Sequence, residues 1–236
     1  MNELPPLDAD QLVARLREEG EKRYHDLHPF HVRMHAGALS RTQIQAWVLN
    51  RFYYQTRIPI KDAIILSKSE DPSFRRAWMR RIVDHDGARD GEGGLSQWLR
   101  LASGVGLDAE EVRSLRAVLP AVRFACDAYV TLVRERSLLE AVASSLTEFF
   151  SPDIMAKRIV AWETHYPWVD AETLAYFRGR VTRAREDSRE AIEYVLAFAK
   201  TREDQERCVA ALVTKTQILW SLLDAVDRAY PDEPRA

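Results

Sequence analysis

Cysteine is nearly missing from this chain: Cys126 and Cys208 are the only two in 236 residues, and they form no paired motif. A disulfide framework is therefore excluded, and a reducing compartment, read here as the cytoplasm, fits better. Glycine is scarce as well. Its one cluster, DGARDGEGG at 86–94, reads as a loop that ends a helix. Neither Gly-x-Gly-x-x-Gly nor Gly-x-x-x-x-Gly-Lys-Ser/Thr occurs, so no nucleotide cradle is expected. Charge of one sign is not in excess either. Lys and Arg number 34 against 36 Asp and Glu, a formal net charge of -2, which leaves no basic footprint for nucleic acid. No stretch approaches the ~20 apolar residues of a membrane span. The N-terminus, MNELPPLDAD, is acidic and proline-bearing rather than basic and then apolar, so no secretory leader is expected. No glutamate is followed three residues later by histidine, which removes the di-iron bundle from consideration.

What is present is helical periodicity from end to end. With 46% hydrophobic residues and no low-complexity run, repeat or second composition regime, the chain predicts one all-α domain over 1–236. Its ends, 1–9 and 231–236, are expected to fray. A first helix is predicted from about Asp10 to Tyr24, with a break at His28-Pro29. Ser40 with Gln43 three residues on is a capping box for a helix to roughly Arg57, kinked by Pro59. Asp71-Pro72 opens the next helix, which carries Arg81 and His85. Further helices are expected near Leu95–Ser103, Asp108–Val118, Ala121–Arg136, Ser137–Thr164, Ala171–Lys200 and Arg202–Ala229.

Polar residues lie on faces that periodicity assigns to the core. Lys215 shares its stripe with Cys208, Ala211, Leu212, Ile218, Leu219, Leu222 and Val226. A lysine in that row is costly without a negative partner. The face begun by Ile44 and Trp47 goes on to Arg51, Tyr54 and Gln55, with Lys61 beyond the proline. Arg81, His85 and Tyr129 stand on other inward faces. Acids are scarce on these stripes, so several buried cations are expected to lack protein partners and to await a small anionic ligand. Tyrosines and a glutamine beside them suit a flat, oxygen-rich molecule. His85, between Asp84 and Asp86, is the natural proton-transfer group. His25, His28, His31 and His35 crowd into eleven residues, but Pro29 breaks their register and no metal site is expected. Cys126 reads as an inert buried thiol.

These residues sit in a series of motifs: RYHDLHPFH at 23–31, NRFYYQ at 50–55, IPIKDA at 58–63 and RIVDHDG at 81–87. RFACDAY at 123–129, SSLTEFFSP at 144–152, HYPW at 165–168 and YFRGR at 176–180 complete it. In this order, over nearly the whole chain, the series resembles the pyrroloquinoline-quinone (PQQ) synthase family. The resemblance implies a heme-oxygenase-like bundle of about seven helices, usually a homodimer, that works without heme, metal or other cofactor.

It also implies the chemistry: ring closure and multi-electron oxidation of a bicyclic, amino-acid-derived polycarboxylate quinone. PQQ is then the product, dioxygen the co-substrate and hydrogen peroxide the by-product. By motif match Arg51, Gln55, Lys61, Arg81, Tyr129, Arg158 and Lys215 would hold carboxylates and quinone oxygens, with His25 nearby. His85 would be the main acid/base group, and Tyr176 with Arg180 would place oxygen or peroxide. Arg158, Tyr176 and Arg180 come from the resemblance alone. Met155 departs from a histidine that many members carry, and a thioether cannot relay protons. A small carrier protein of the same pathway is a further candidate partner. Rival readings are a thiaminase-like hydrolase using a cysteine, a heme-degrading enzyme with His25 as axial ligand, and a non-catalytic helical binding protein.

Overall fold

The computed structural model describes residues 4–231 and contains only helices, turns and loops among them. Eleven α-helices and three short 3-10 turns follow in sequence, more segments than the seven or so expected. Helices α1 (Ala9–Glu21) and α2 (Pro29–His35) flank a 3-10 turn at His25–Leu27. Asp8 caps α1, and the Leu7 backbone is held at both N–H and C=O by the Gln205 amide, at 2.8 and 2.9 Å. Of the termini expected to fray, 1–3 and 232–236 lie outside the described residues.

Helix α3 (Arg41–Ser67) starts at the Ser40–Gln43 capping box and runs without interruption through Pro59. The expected end near Arg57 is thus ten residues early. A proline inside a helix forfeits one hydrogen bond, and here burial of most of α3 outweighs that loss. Helices α4 (Pro72–Asp86) and α5 (Gly93–Gly104) follow. Gly87, at φ +87°, stops α4 two residues after His85; a side chain there would be strained and would also meet the Glu92 backbone. Helix α6 (Ala109–Ser114) is shorter than expected because Leu115 adopts a left-handed conformation, at φ 60°.

Helix α7 (Pro120–Glu135) leads to α8 (Leu138–Ser144). The single helix expected over Ser137–Thr164 is instead α8, a 3-10 turn at Ser145–Phe149, and α9 (Ser151–His165). Pro152 at the start of α9 explains the break, since its ring bars the preceding residues from a continuous helical ladder. A 3-10 turn at Glu172–Leu174 precedes α10 (Ala175–Phe198), and α11 (Arg202–Ala229) ends the fold.

Helix α11 is long and apolar enough to cross a membrane by length and composition, contrary to the sequence expectation. Here it packs against α7, α8 and α1, with Cys208, Leu212, Leu219, Leu222 and Val226 buried. In the core Trp47, Trp98, Trp162 and Phe177 form a cluster of rings with centres 5.4–6.4 Å apart. Trp98 donates to the Val48 carbonyl and meets Tyr176 edge-on at 4.8 Å, so this cluster fixes the floor of the site. Each buried indole removes ~200 Å² from water, about 5 kcal/mol of hydrophobic stabilisation before entropy is counted.

Candidate active site

Helical spacing gathers the polar residues. On α3, Arg51, Tyr54, Gln55, Ile58, Lys61 and Asp62 recur at intervals of three and four and so share one face. The pairs Arg81 with His85 on α4, Tyr176 with Arg180 on α10 and Lys215 with Leu219 on α11 do the same. All of these but Lys215 line one or both of two adjoining cavities, which share Tyr54, Ile58, His85, Thr147, Glu148 and Arg180. His25, Arg51, Gln55, Arg158 and Tyr176 belong to the first cavity. Lys61, Arg81 and Tyr129 belong to the second. Lys215 stands behind the wall: its Nζ donates to the Tyr54 hydroxyl at 2.8 Å and lies 3.4 Å from the Tyr129 ring centre.

Three of the site's buried basic side chains have no carboxylate partner among the described residues. Lys215 is fully buried, and burial together with the nearby Arg51 charge pushes its pKa well below the usual lysine value. Stacking near aromatic faces returns part of the lost hydration, but not all of it. Arg51 is 8% exposed, rests over the Tyr54 ring at 4.0 Å and leaves Nη1 without a hydrogen bond. Arg158 meets only neutral acceptors, Met155 Sδ at 3.7 Å and His31 Nε2 at 3.4 Å, and its Nε is unpartnered. Burial and the Arg51 charge lower its pKa to about 9.

Lys61, Arg81 and Arg180 correct the expectation that the cations lack partners. Lys61 Nζ lies 2.6 Å from Asp62 and 3.1 Å from the Ser145 hydroxyl. Burial lowers its pKa, but Asp62 and Tyr129 outweigh that and leave it raised. Arg81 is paired with Asp187, through both its carboxylate and its backbone carbonyl. Arg180 bridges Glu148 at 2.9 Å and Asp187 at 3.4 Å, and these acids, with Tyr176, raise its pKa despite burial. Sequence reasoning missed these acids because Glu148 sits in an irregular turn and Asp62 lies one residue past the cation it balances. Asp187 joins the site from a later turn of α10. The site is therefore asymmetric: bare cations towards the first cavity, acid-balanced ones around the second.

His85 is 3% exposed. Its Nδ1 lies 3.1 Å from the Arg81 carbonyl, which can only accept, so Nδ1 carries the proton and Nε2 is the free lone pair. Nε2 has no partner. Burial, then the Arg180 charge, lower the His85 pKa to about 3, only partly offset by the Arg81 carbonyl. The ring is thus a neutral base. His31 Nδ1 reaches the His25 carbonyl at 2.9 Å and His25 Nδ1 at 3.0 Å, which orients His25 in the wall. His28 does mark a boundary: it caps α2 by accepting from the Phe30 N–H. Tyr176 donates to Gln55 Oε1 at 2.9 Å, tying α10 to α3. Among the described residues no group of three His, Cys, Asp or Glu side chains is placed to hold a metal ion.

Met155, singled out by the resemblance, lines the first cavity. Tyr24 and Thr147 also line it, and neither was singled out from the sequence; the Tyr24 ring meets His25 at a tilt of 42°, with centres 4.4 Å apart. Cys126 and Cys208 are buried, and burial raises both thiols to about 12. Neither supplies a thiolate near neutrality.

Residues 13–225 match the TENA/THI-4/PQQC family. A pyrroloquinoline-quinone synthase of Rhizobium rhizogenes is 54% identical over 217 residues, 92% of this chain and 88% of its own. Its counterpart in Granulibacter bethesdensis is 53% identical over 221 residues, 94% of this chain and 87% of its own. Among solved structures, a domain from Shewanella denitrificans with a heme oxygenase-like fold superposes with a TM-score of 0.76 at 14% identity, covering 95% of this chain and 94% of that one. A TenA homologue from Pyrococcus horikoshii gives 0.74 at 13% identity, covering 93% and 99%. These two show the fold alone.

Proposed function

The chain belongs to the TENA/THI-4/PQQC family, and from its likeness to the synthases and its cation-lined cavities we propose an oxidoreductase of PQQ biosynthesis. The reaction is ring closure and multi-electron oxidation of the bicyclic polycarboxylate quinone precursor. Dioxygen takes the electrons and leaves as hydrogen peroxide. The observation that carries this reading is the set of Arg51, Arg158 and Lys215, buried together without a carboxylate. Burying such charge is costly unless an anion arrives, and carboxylates of a flat quinone provide it.

The chain's own groups divide the work. Arg51 and Arg158 bind carboxylate and quinone oxygens, Lys215 adds its charge from behind the wall through the Tyr54 hydroxyl, and Gln55 and Tyr129 fill in neutral contacts. Lys61 and Arg81 extend the binding surface at the second cavity. His85 Nε2, unprotonated and unpartnered, accepts a carbon-bound proton from the cyclised intermediate. Electrons come from the substrate, so no cofactor is required of the protein. Tyr176 and Arg180 stabilise the reduced oxygen, and Arg180 does so with its charge partly committed to Glu148 and Asp187. His25 is held in the cavity wall by His31. We place this activity in a cytoplasmic homodimer, with a small pathway carrier as a candidate partner.

A cysteine-dependent hydrolase is disfavoured by the inert thiols, and added heme is expected to give no sharp Soret band. The deciding experiment is anaerobic addition of the bicyclic precursor, then oxygen. The reading expects the PQQ spectrum to grow with peroxide; an unchanged spectrum would sink it.

A further inference from the structure

We propose that Asp62 selects a hydrogen-bond-donating nitrogen, an amine or ammonium, on the substrate and so fixes which end enters the second cavity. Asp62 is 1% exposed and lines that cavity. Its Oδ1 accepts from Trp78 Nε1 at 2.7 Å and lies 2.6 Å from Lys61 Nζ. Its Oδ2 is buried without any partner. His85 Nε2, lining the same cavity, is likewise a buried acceptor with nothing to accept. Native interiors rarely leave such atoms unsatisfied, and two in one cavity indicate a missing donor group.

The cavity's own donors do not fill that role. Lys61 is directed at Asp62 Oδ1 and Ser145, and Arg81 donates through Nη2 to the Asp187 carbonyl while its Nε, 3.7 Å from the Asp187 carboxylate, has no hydrogen bond and reaches neither acceptor. A carboxylate placed here would face Asp62 and Asp187 in addition to Glu148, which both cavities share, whereas the first cavity offers Arg51 and Arg158 without an ion pair. A ligand with carboxylates at one end and an amine at the other therefore binds in one orientation: acids towards Arg51 and Arg158, nitrogen between Asp62 Oδ2 and His85 Nε2.

This inference rests on the proposed function and refines it. An amino-acid-derived precursor carries such an amine; adding it across a ring double bond forms N–C, passes one hydrogen from nitrogen to carbon and leaves a neutral ring N–H. Asp62 then favours precursor over product, because the ammonium charge that its carboxylate pairs with is gone.

The test is anaerobic quenching of tryptophan fluorescence by the precursor and by PQQ, with wild type and Asp62→Asn. Asparagine keeps the acceptor for Trp78 but turns a donor towards the substrate nitrogen. The expected result is precursor affinity reduced about tenfold or more, with PQQ affinity within about threefold of wild type. Equal loss of both ligands would make Asp62 a mere support for Lys61 and Trp78, and unchanged precursor affinity would also overturn the proposal. Should the variant fail to fold, wild type decides alone. A precursor analogue with hydrogen in place of the amine should bind about tenfold more weakly, and equal binding refutes the role. Wild type that binds neither precursor nor PQQ removes the functional reading and this inference with it.

Discussion

Lys215 concentrates the conflict between stability and function in one side chain. Its pKa lies well below the ordinary lysine value of 10.5 in the empty fold. Above 10.5 neither folded nor unfolded chain holds the proton. As pH falls below that value the unfolded chain takes it up and the folded one resists, so stability declines. Lys215→Met should therefore raise the unfolding midpoint of the ligand-free protein near neutral pH, by about 1–2 kcal/mol, and by less near pH 10.5. Thermal melts across that range check this, and the same variant should lose most PQQ binding.

His85 obeys the same sign. With its folded pKa depressed to about 3 from an ordinary 6.5, the stability gained by keeping it neutral is present above 6.5 and is lost as pH falls towards 3. A bound polycarboxylate raises that pKa, so the acid limb of kcat should lie at higher pH than that of kcat/KM. His85→Ala should slow the proton-dependent steps by about 10²-fold or more while PQQ affinity changes far less. Stopped-flow traces paired with binding titrations separate the two, and equal losses would contradict the role.

At the scale of elements, the site depends on tight helix approaches. Gly104 at the end of α5 packs on the turn Glu172–Leu174, where an added Cβ would lie 2.2 Å from Thr173 Oγ1. Asp170 holds that hydroxyl at 2.8 Å, so it cannot swing aside freely. Gly104→Ala should cost about 1–3 kcal/mol in chemical denaturation and disturb the start of α10, from which Tyr176 projects.

Regular helices were legible where one periodic face ran unbroken: the stripe around Lys215 is α11, and the capping box at Ser40 is the start of α3. What was not legible depends on contacts between distant segments. Pro59 does not end α3 because tertiary burial holds that helix, and Pro152 splits a run whose apolar residues read as continuous. In the site, one-dimensional spacing revealed cations on core faces but not the acids that meet them. Asp187 reaches Arg81 across 106 residues of sequence, and Glu148 reaches Arg180 across 32. No periodic rule connects such pairs.

On the scale of the whole molecule, helices α3, α4, α7, α9, α10 and α11 each bring polar groups to a centre that a purely apolar core would have made more stable. On the proposed reading, an anion bound in the middle of this all-α scaffold balances those groups. PQQ at about 100 times its Kd should raise stability by roughly 2.7 kcal/mol, seen as an upward shift of several degrees in the unfolding midpoint. Binding should also load a proton onto Lys215, since a carboxylate beside it restores the charged form that the empty interior disfavours.

That coupling offers the most direct measurement. Calorimetric titration of PQQ into the protein at pH 8, in buffers of different ionisation enthalpy, reads protons taken up on binding. The expected result is net uptake per PQQ bound, absent in Lys215→Met titrated at PQQ concentrations that saturate the weakened variant. Tight binding with no proton uptake in the wild type would contradict the claim that the buried Lys215 is held short of its charge until a polycarboxylate arrives.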